Sequence, residues 1–193
     1  MFSEESPQSF AASVIAMPQT NATRSAKGPK GTISPGLGLG IPFAASTFIV
    51  PNLEITEDVQ SMTIDGVEFT FMLAPDTEAP AEMLFHLPQF KALCSAEDAT
   101  HVLHYLYTLR GAKVRDALRW AQYMQEALDG LGESEVYVGQ HNWPMWGKAK
   151  IAAFITQHRD VYKYTHDQTV RLMNAGYTPR EIAETVKLPK SLS

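Results

Sequence analysis

Thr63-Ile64-Asp65-Gly66-Val67-Glu68-Phe69-Thr70-Phe71-Met72-Leu73 is the stretch on which the fold reading turns. Asp-Gly between two apolar, β-branched runs is the strongest short-range hairpin signal, because both turn residues must take positive φ. Two strands are predicted, Met62–Ile64 and Val67–Leu73. Val67, Phe69 and Phe71 alternate with Glu68, Thr70 and Met72, so one face of the strand is predicted to be buried. Outward from the hairpin, Ser46–Val50, Glu82–His86 and Ala92–Cys94 read as further short strands. Pro-rich loops at Ala74–Pro80 and Leu87-Pro88 separate them.

From Asp98 the period changes. His101–Leu109 reads as helical. Val114, Leu118, Ala121, Met124 and Leu128 recur at helical spacing until Gly130 and Gly132. Val136–Val138 is a short strand. A long helix is predicted from about Gly147 to Asn174, with Gly176 as its C-terminal stop. Thr178-Pro179-Arg180-Glu181 is a capping box with proline at the first helical position, opening a last helix to about Val186. Upstream, Pro7, Pro18, Pro29, Pro35 and Pro42, with glycines clustered from Gly28 to Gly40, predict irregular structure over residues 1–45. The class is α/β.

The 193 residues are 45% hydrophobic and 19% charged, with a formal net charge of −5. That composition suits a globular chain and lacks the basic field that nucleic acid or an anionic membrane would require. One cysteine, Cys94, excludes an internal disulfide and a thiolate metal cluster. No apolar run reaches the roughly 20 residues of a membrane span. Met1-Phe2-Ser3-Glu4-Glu5 lacks the features of a secretory leader; the compartment is left unknown, with the cytoplasm as the expectation on that ground.

Three side chains stand on loops at strand ends: Glu78, Glu97 and His141. Carboxylate oxygen and imidazole nitrogen suit zinc or another divalent ion. Spacings of 19 and 44 residues form no short metal signature. Solvated loop carboxylates and a histidine packed beside Trp143 and Trp146 are therefore the competing reading. His101 and His104, three apart on a predicted helix, would share a face as ligands, as partners of ligands, or as plain surface. Arg110, before Gly111 at a helix break, could bind an anion or face a helix end. Arg115-Asp116 reads as a structural ion pair, and His158-Arg159-Asp160 as a solvated helix face. Gly36-Leu37-Gly38-Leu39-Gly40 lacks the Lys-Ser/Thr of a phosphate loop, and no G-x-S-x-G elbow is present.

Taken together, several segments resemble a known family. They are Thr63-Ile64-Asp65-Gly66-Val67-Glu68-Phe69, Thr77-Glu78-Ala79-Pro80-Ala81-Glu82-Met83, Ser95-Ala96-Glu97, Tyr107-Thr108-Leu109-Arg110-Gly111-Ala112 and Val114-Arg115-Asp116. His141-Asn142-Trp143-Pro144, Trp146-Gly147, Arg159-Asp160 and His166-Asp167-Gln168-Thr169 complete the string. It resembles the alkylsulfatases of the metallo-β-lactamase fold, closely from about Pro29 to Pro189.

The resemblance implies part of an αββα sandwich in residues 1–146. Residues 147–193 would then begin the family's helical dimerisation region. It implies two zinc ions in the intact family, and one or none here. Glu78, Glu97 and His141 would be zinc ligands and Arg110 the sulfate contact. The implied activity is hydrolysis of primary alkyl sulfates to alcohol and sulfate, in a homodimer. The family's remaining ligands lie in a His-x-His-x-Asp-His motif, which these 193 residues do not contain, so the chain is expected to be a truncated relative. Asp76, Asp98, Tyr105 and Asn142 replace the family's Gly, Asn, Asn and His. These departures favour a second expectation, an inactive relative that acts as an interaction or dimerisation module.

Overall fold

The structure is a computed structural model that describes residue 47 and residues 49–107, 113–131 and 133–192. The chain divides into two compact units, Met1–Thr56 and Glu57–Ser193. The described part of the first unit has no regular element, so the strand predicted at Ser46–Val50 is not formed at Thr47, Ile49 or Val50.

The second unit carries one sheet and its helices. Its strands are β1 (Val59–Ile64), β2 (Val67–Leu73), β3 (Met83–Leu87), β4 (Ala92–Cys94), β5 (Val136–Val138) and β6 (Met145–Trp146). They lie in sequence order, antiparallel throughout except for the parallel pair β4–β5. The parallel step is where a helix must cross over, and α1 (Ala117–Gly130) lies in that connection. The long α2 (Lys148–Asn174) and the short α3 (Pro179–Thr185) follow β6.

Asp65 and Gly66 both take positive φ, 50° and 79°, and close the β1–β2 hairpin with Ile64 opposite Val67. That is the turn the Asp-Gly pair predicted. One face of β2 is the more buried, and it is that of Met72. Met72, opposite Leu84 on β3, is buried at 4% exposure, whereas Phe69 and Phe71 are only half-buried. Period-2 alternation identifies two faces but not which one a helix covers. Here α1 and α2 cover the face of Met72, Leu84, Leu93, Tyr137 and Met145. On the opposite face Phe69, Phe71 and Phe85 pack on one another at centroid distances of 5.5–6.0 Å.

Helix α1 begins where the Asp116 carboxylate accepts N–H bonds from Leu118 (2.9 Å) and Arg119 (3.0 Å). Asp116 is thus an N-cap and not the ion-pair partner of Arg115. Ala117, Trp120, Ala121, Met124 and Ala127 form the buried stripe, and the Trp120 ring stacks on Tyr162 of α2 at 4.3 Å. The helix predicted at His101–Leu109 is absent over the described residues 101–107, which run as bends and extended chain. The Arg115 N–H bonds the Leu106 carbonyl at 2.9 Å, tying this segment to the entrance of α1 instead of to an i−4 partner of its own.

Helix α2 ends as expected, with Gly176 at φ 85° beyond its last turn. The capping box at Thr178 and Glu181 is formed. His158 is not on a solvated face. Its ring is half-buried, with Nδ1 3.0 Å from the Phe154 carbonyl and Nε2 2.9 Å from that of Thr100. No helix among the described residues is long and apolar enough to cross a membrane.

Candidate metal centre

Glu78 follows β2 on a tight turn. Asp76 stands at φ 67°, a left-handed conformation that aspartate tolerates better than most residues, and pairs with Lys113 at 2.6 Å. The Thr77 hydroxyl donates to the Ala74 carbonyl at 2.6 Å and closes the turn. The Glu78 side chain is then gripped by Arg115. Nε donates to the Glu78 carbonyl at 2.8 Å, Nη2 to the Glu78 carboxylate, and Nη1 to the Tyr105 carbonyl. Both side chains are nearly buried, at 5% exposure for Arg115 and 9% for Glu78. The residue read from sequence as the partner of Asp116 therefore holds one of the three candidate ligands.

Glu97 follows β4 after Ala96, which stands at φ 48°. Its loop is nailed down from beneath. Tyr137 Oη donates to the Ala99 carbonyl and meets Ser95 Oγ, and Ser95 Oγ reaches the same carbonyl at 3.2 Å. Trp120 Nε1 donates to the Asp98 carbonyl at 2.9 Å. His141 lies on the loop after β5, which approaches the Glu97 loop so closely that a Cβ on Gly139 would sit 3.5 Å from the Ala99 carbonyl and 3.6 Å from that of Ala96. The Gln140 N–H bonds the Ala96 carbonyl at 3.0 Å across the same junction.

These loops converge. His141 Nε2 meets Glu97 Oε1. On the other side of the carboxylate, His104 Nε2 lies 3.8 Å from Glu97 Oε2. One ligand atom each from Glu78, Glu97 and His104 lies within 4.8 Å of the other two. Of the three residues the sequence named together, Glu78 and Glu97 converge and His141 meets Glu97. His104 was only one of a pair on a presumed helix. Its signal was present in the sequence, but a helical reading put it beside His101. In the extended segment the two separate, with His101 Nε2 3.0 Å from the Trp143 carbonyl. Arg110 lies outside the described residues.

The surrounding carboxyls are shifted. Glu82 is pushed up to about 8, first by burial and then by the charge of Glu78. Burial, with Glu82 nearby, raises Asp98 well above the ordinary carboxylate range. Asp98 is fully buried, and its Oδ1 faces the Glu78 N–H at 3.4 Å. A carboxyl held neutral offers one donor and one acceptor, as an asparagine amide does. Burial also raises the Cys94 thiol, which keeps it unreactive.

Two carboxylates and imidazole, half-buried and converging, are a donor set that fits zinc. The fit rests on the chemistry and spacing of these side chains.

No family model matches the chain. Individual proteins do. It is 47% identical over 164 residues to an alkyl/aryl-sulfatase of Saccharomyces cerevisiae, covering 84% of this chain and 25% of that protein. It is 46% identical over 165 residues to a linear primary-alkylsulfatase of a Pseudomonas species, covering 85% of this chain and 24% of the relative. Among solved structures, a stereoselective inverting sec-alkylsulfatase of Pseudomonas superposes with a TM-score of 0.74 at 42% identity, over 76% of this chain and 23% of that one. A double mutant of a sec-alkylsulfatase reaches 0.82 at 39% identity, over 88% and 27%. The chain spans about a quarter of the length of the curated relatives it matches. With sequence and backbone in agreement over most of these 193 residues, the chain belongs to the alkylsulfatase family.

Proposed function

We propose that this chain supplies part of the active site of a zinc-dependent sulfuric ester hydrolase acting on primary alkyl sulfates. The observation that carries the reading is the convergence of Glu78 and Glu97 with imidazole at the ends of β2, β4 and β5. It is supported by relatives named as alkyl sulfatases. Glu78, Glu97 and His141 would hold the metal, and Arg110 would contact the sulfate group. A zinc ion bound there supplies Lewis acidity toward sulfate oxygens and a nucleophile at neutral pH.

The protein's own groups do the rest. Arg115 aims Glu78 by donating to one carboxylate oxygen and to its backbone carbonyl. The planar fork of Arg110 matches a tetrahedral oxyanion and would oppose charge that develops on the departing sulfate. Pairing with a second copy through the helices after Gly147 belongs to the same reading. So does the division into a partial catalytic region, 1–146, and a helical region, 147–193.

The test is zinc content of the purified chain after dialysis, beside Glu97→Ala. About one zinc per chain, lost in the variant, is expected. Dodecyl sulfate hydrolysis is then assayed with and without a protein segment that carries the family's His-x-His-x-Asp-His motif. Zinc absent from both proteins would refute the reading.

A further inference from the structure

Resting on the zinc reading above, we propose that His104 is itself a metal ligand, bound through Nε2 beside Glu78 and Glu97. The family resemblance does not assign this role, and the helical reading of 101–109 offered it only as one of three roles for His101 and His104 together. The argument is geometric. Ligand atoms of Glu78, Glu97 and His104 lie within 4.8 Å of one another. His104 Nε2 is 3.8 Å from Glu97 Oε2. That is too long for a hydrogen bond. It is close to the spacing of two donors around one ion. With metal–donor bonds of 2.0–2.2 Å, tetrahedral donors stand roughly 3.3–3.6 Å apart. The Glu97 carboxylate thus has an imidazole on each oxygen, His141 on Oε1 and His104 on Oε2.

The scaffold holds His104 there. Its side chain is 14% exposed and its ring lies 6.3 Å from the buried Trp120, at 32°. The segment carrying it is anchored at both ends. On one side the Thr100 hydroxyl donates to the Val102 carbonyl at 2.6 Å. On the other, Arg115 bonds the Tyr105 carbonyl through Nη1 and the Leu106 carbonyl through its N–H. The same arginine therefore positions both Glu78 and the residue next to His104. Glu78, Glu97 and His104 are three converging donors, one short of the four a tetrahedral zinc takes, and His141 stands on the other oxygen of Glu97.

Affinity alone would not separate a ligand from an outer partner, whose loss also costs about 10–100-fold. The readout is therefore spectroscopic. The full chain is labelled with ¹⁵N at the histidine rings and titrated with Zn²⁺. Its six histidines give a countable set of signals. His104→Gln and, independently, His104→Asn assign the His104 ring by the signal that disappears. His104 Nε2 is expected to move into the metal-bound range at one equivalent of zinc, while His101 and His158 stay in place. Zinc K-edge absorption of the unsubstituted protein should count two imidazoles. A His104 ring that does not respond while His141 does would overturn this inference and leave the zinc site of the proposed function standing. Zinc that shifts no histidine would overturn both.

Discussion

Arg115 and Glu78 show what a single pair can decide. Both are nearly buried, and each is the other's charge partner. A buried pair gives little net stability over an apolar substitute, but removing one partner strands the other. Arg115→Ala should therefore cost about 3–5 kcal/mol in urea denaturation. Arg115→Lys should recover little of it, because an ammonium cannot reach the Glu78 carboxylate, the Glu78 carbonyl and the Tyr105 carbonyl together. A loss below about 1 kcal/mol would mean water reaches Glu78 and the pair behaves as a surface one. The sequence placed Arg115 next to Asp116 and inferred a pair from adjacency. Adjacent side chains on an extended segment point opposite ways, so Asp116 turned to the helix N–H groups and Arg115 to the loop of Glu78.

Elements in this chain are stabilised unequally by the same chemistry. Asp116 caps α1, whose stripe from Ala117 to Ala127 lies in the main core. Thr178 caps α3, which buries only Ile182. Asp116→Ala is expected to lower global stability by about 1 kcal/mol. Thr178→Ala removes a comparable bond but should leave the denaturation midpoint nearly unchanged, since α3 can open without the core. Amide exchange checks this: faster exchange confined to residues after Thr178 is expected, and a global change would contradict it. The caps, the hairpin turn and the Gly176 stop were legible because each is decided within four or five residues. The segment His101–Tyr107 was not, because its apolar pattern suits a helix while its neighbours hold it extended. The Tyr105 and Leu106 carbonyls bond to Arg115, ten residues from Tyr105 along the chain.

At the scale of the whole molecule, buried carboxyls tie stability to pH. Glu82 titrates near 8 in the fold and at about 4.5 in its ordinary state. The folded chain thus holds a proton that the unfolded chain releases. Its contribution is fully present below about 4.5 and is lost as pH rises to about 8, by at most about 1.4 kcal/mol per pH unit. Metal-free Glu82→Gln should lack that slope, so that it gains on the parent protein between pH 5 and 8. Parallel stability curves for the two proteins would refute a protonated Glu82. Much of the architecture was open to the sequence alone: the hairpin, five of the six strands, the three helices, and the loop positions of Glu78, Glu97 and His141. Those features depend on local backbone preference and on recognisable motifs. Which face of β2 is covered, that Arg115 serves Glu78, and that His104 stands opposite His141 across Glu97 were decided only by the tertiary structure. Each depends on segments brought together from distant parts of the chain, and local pattern carries no information about which segments meet.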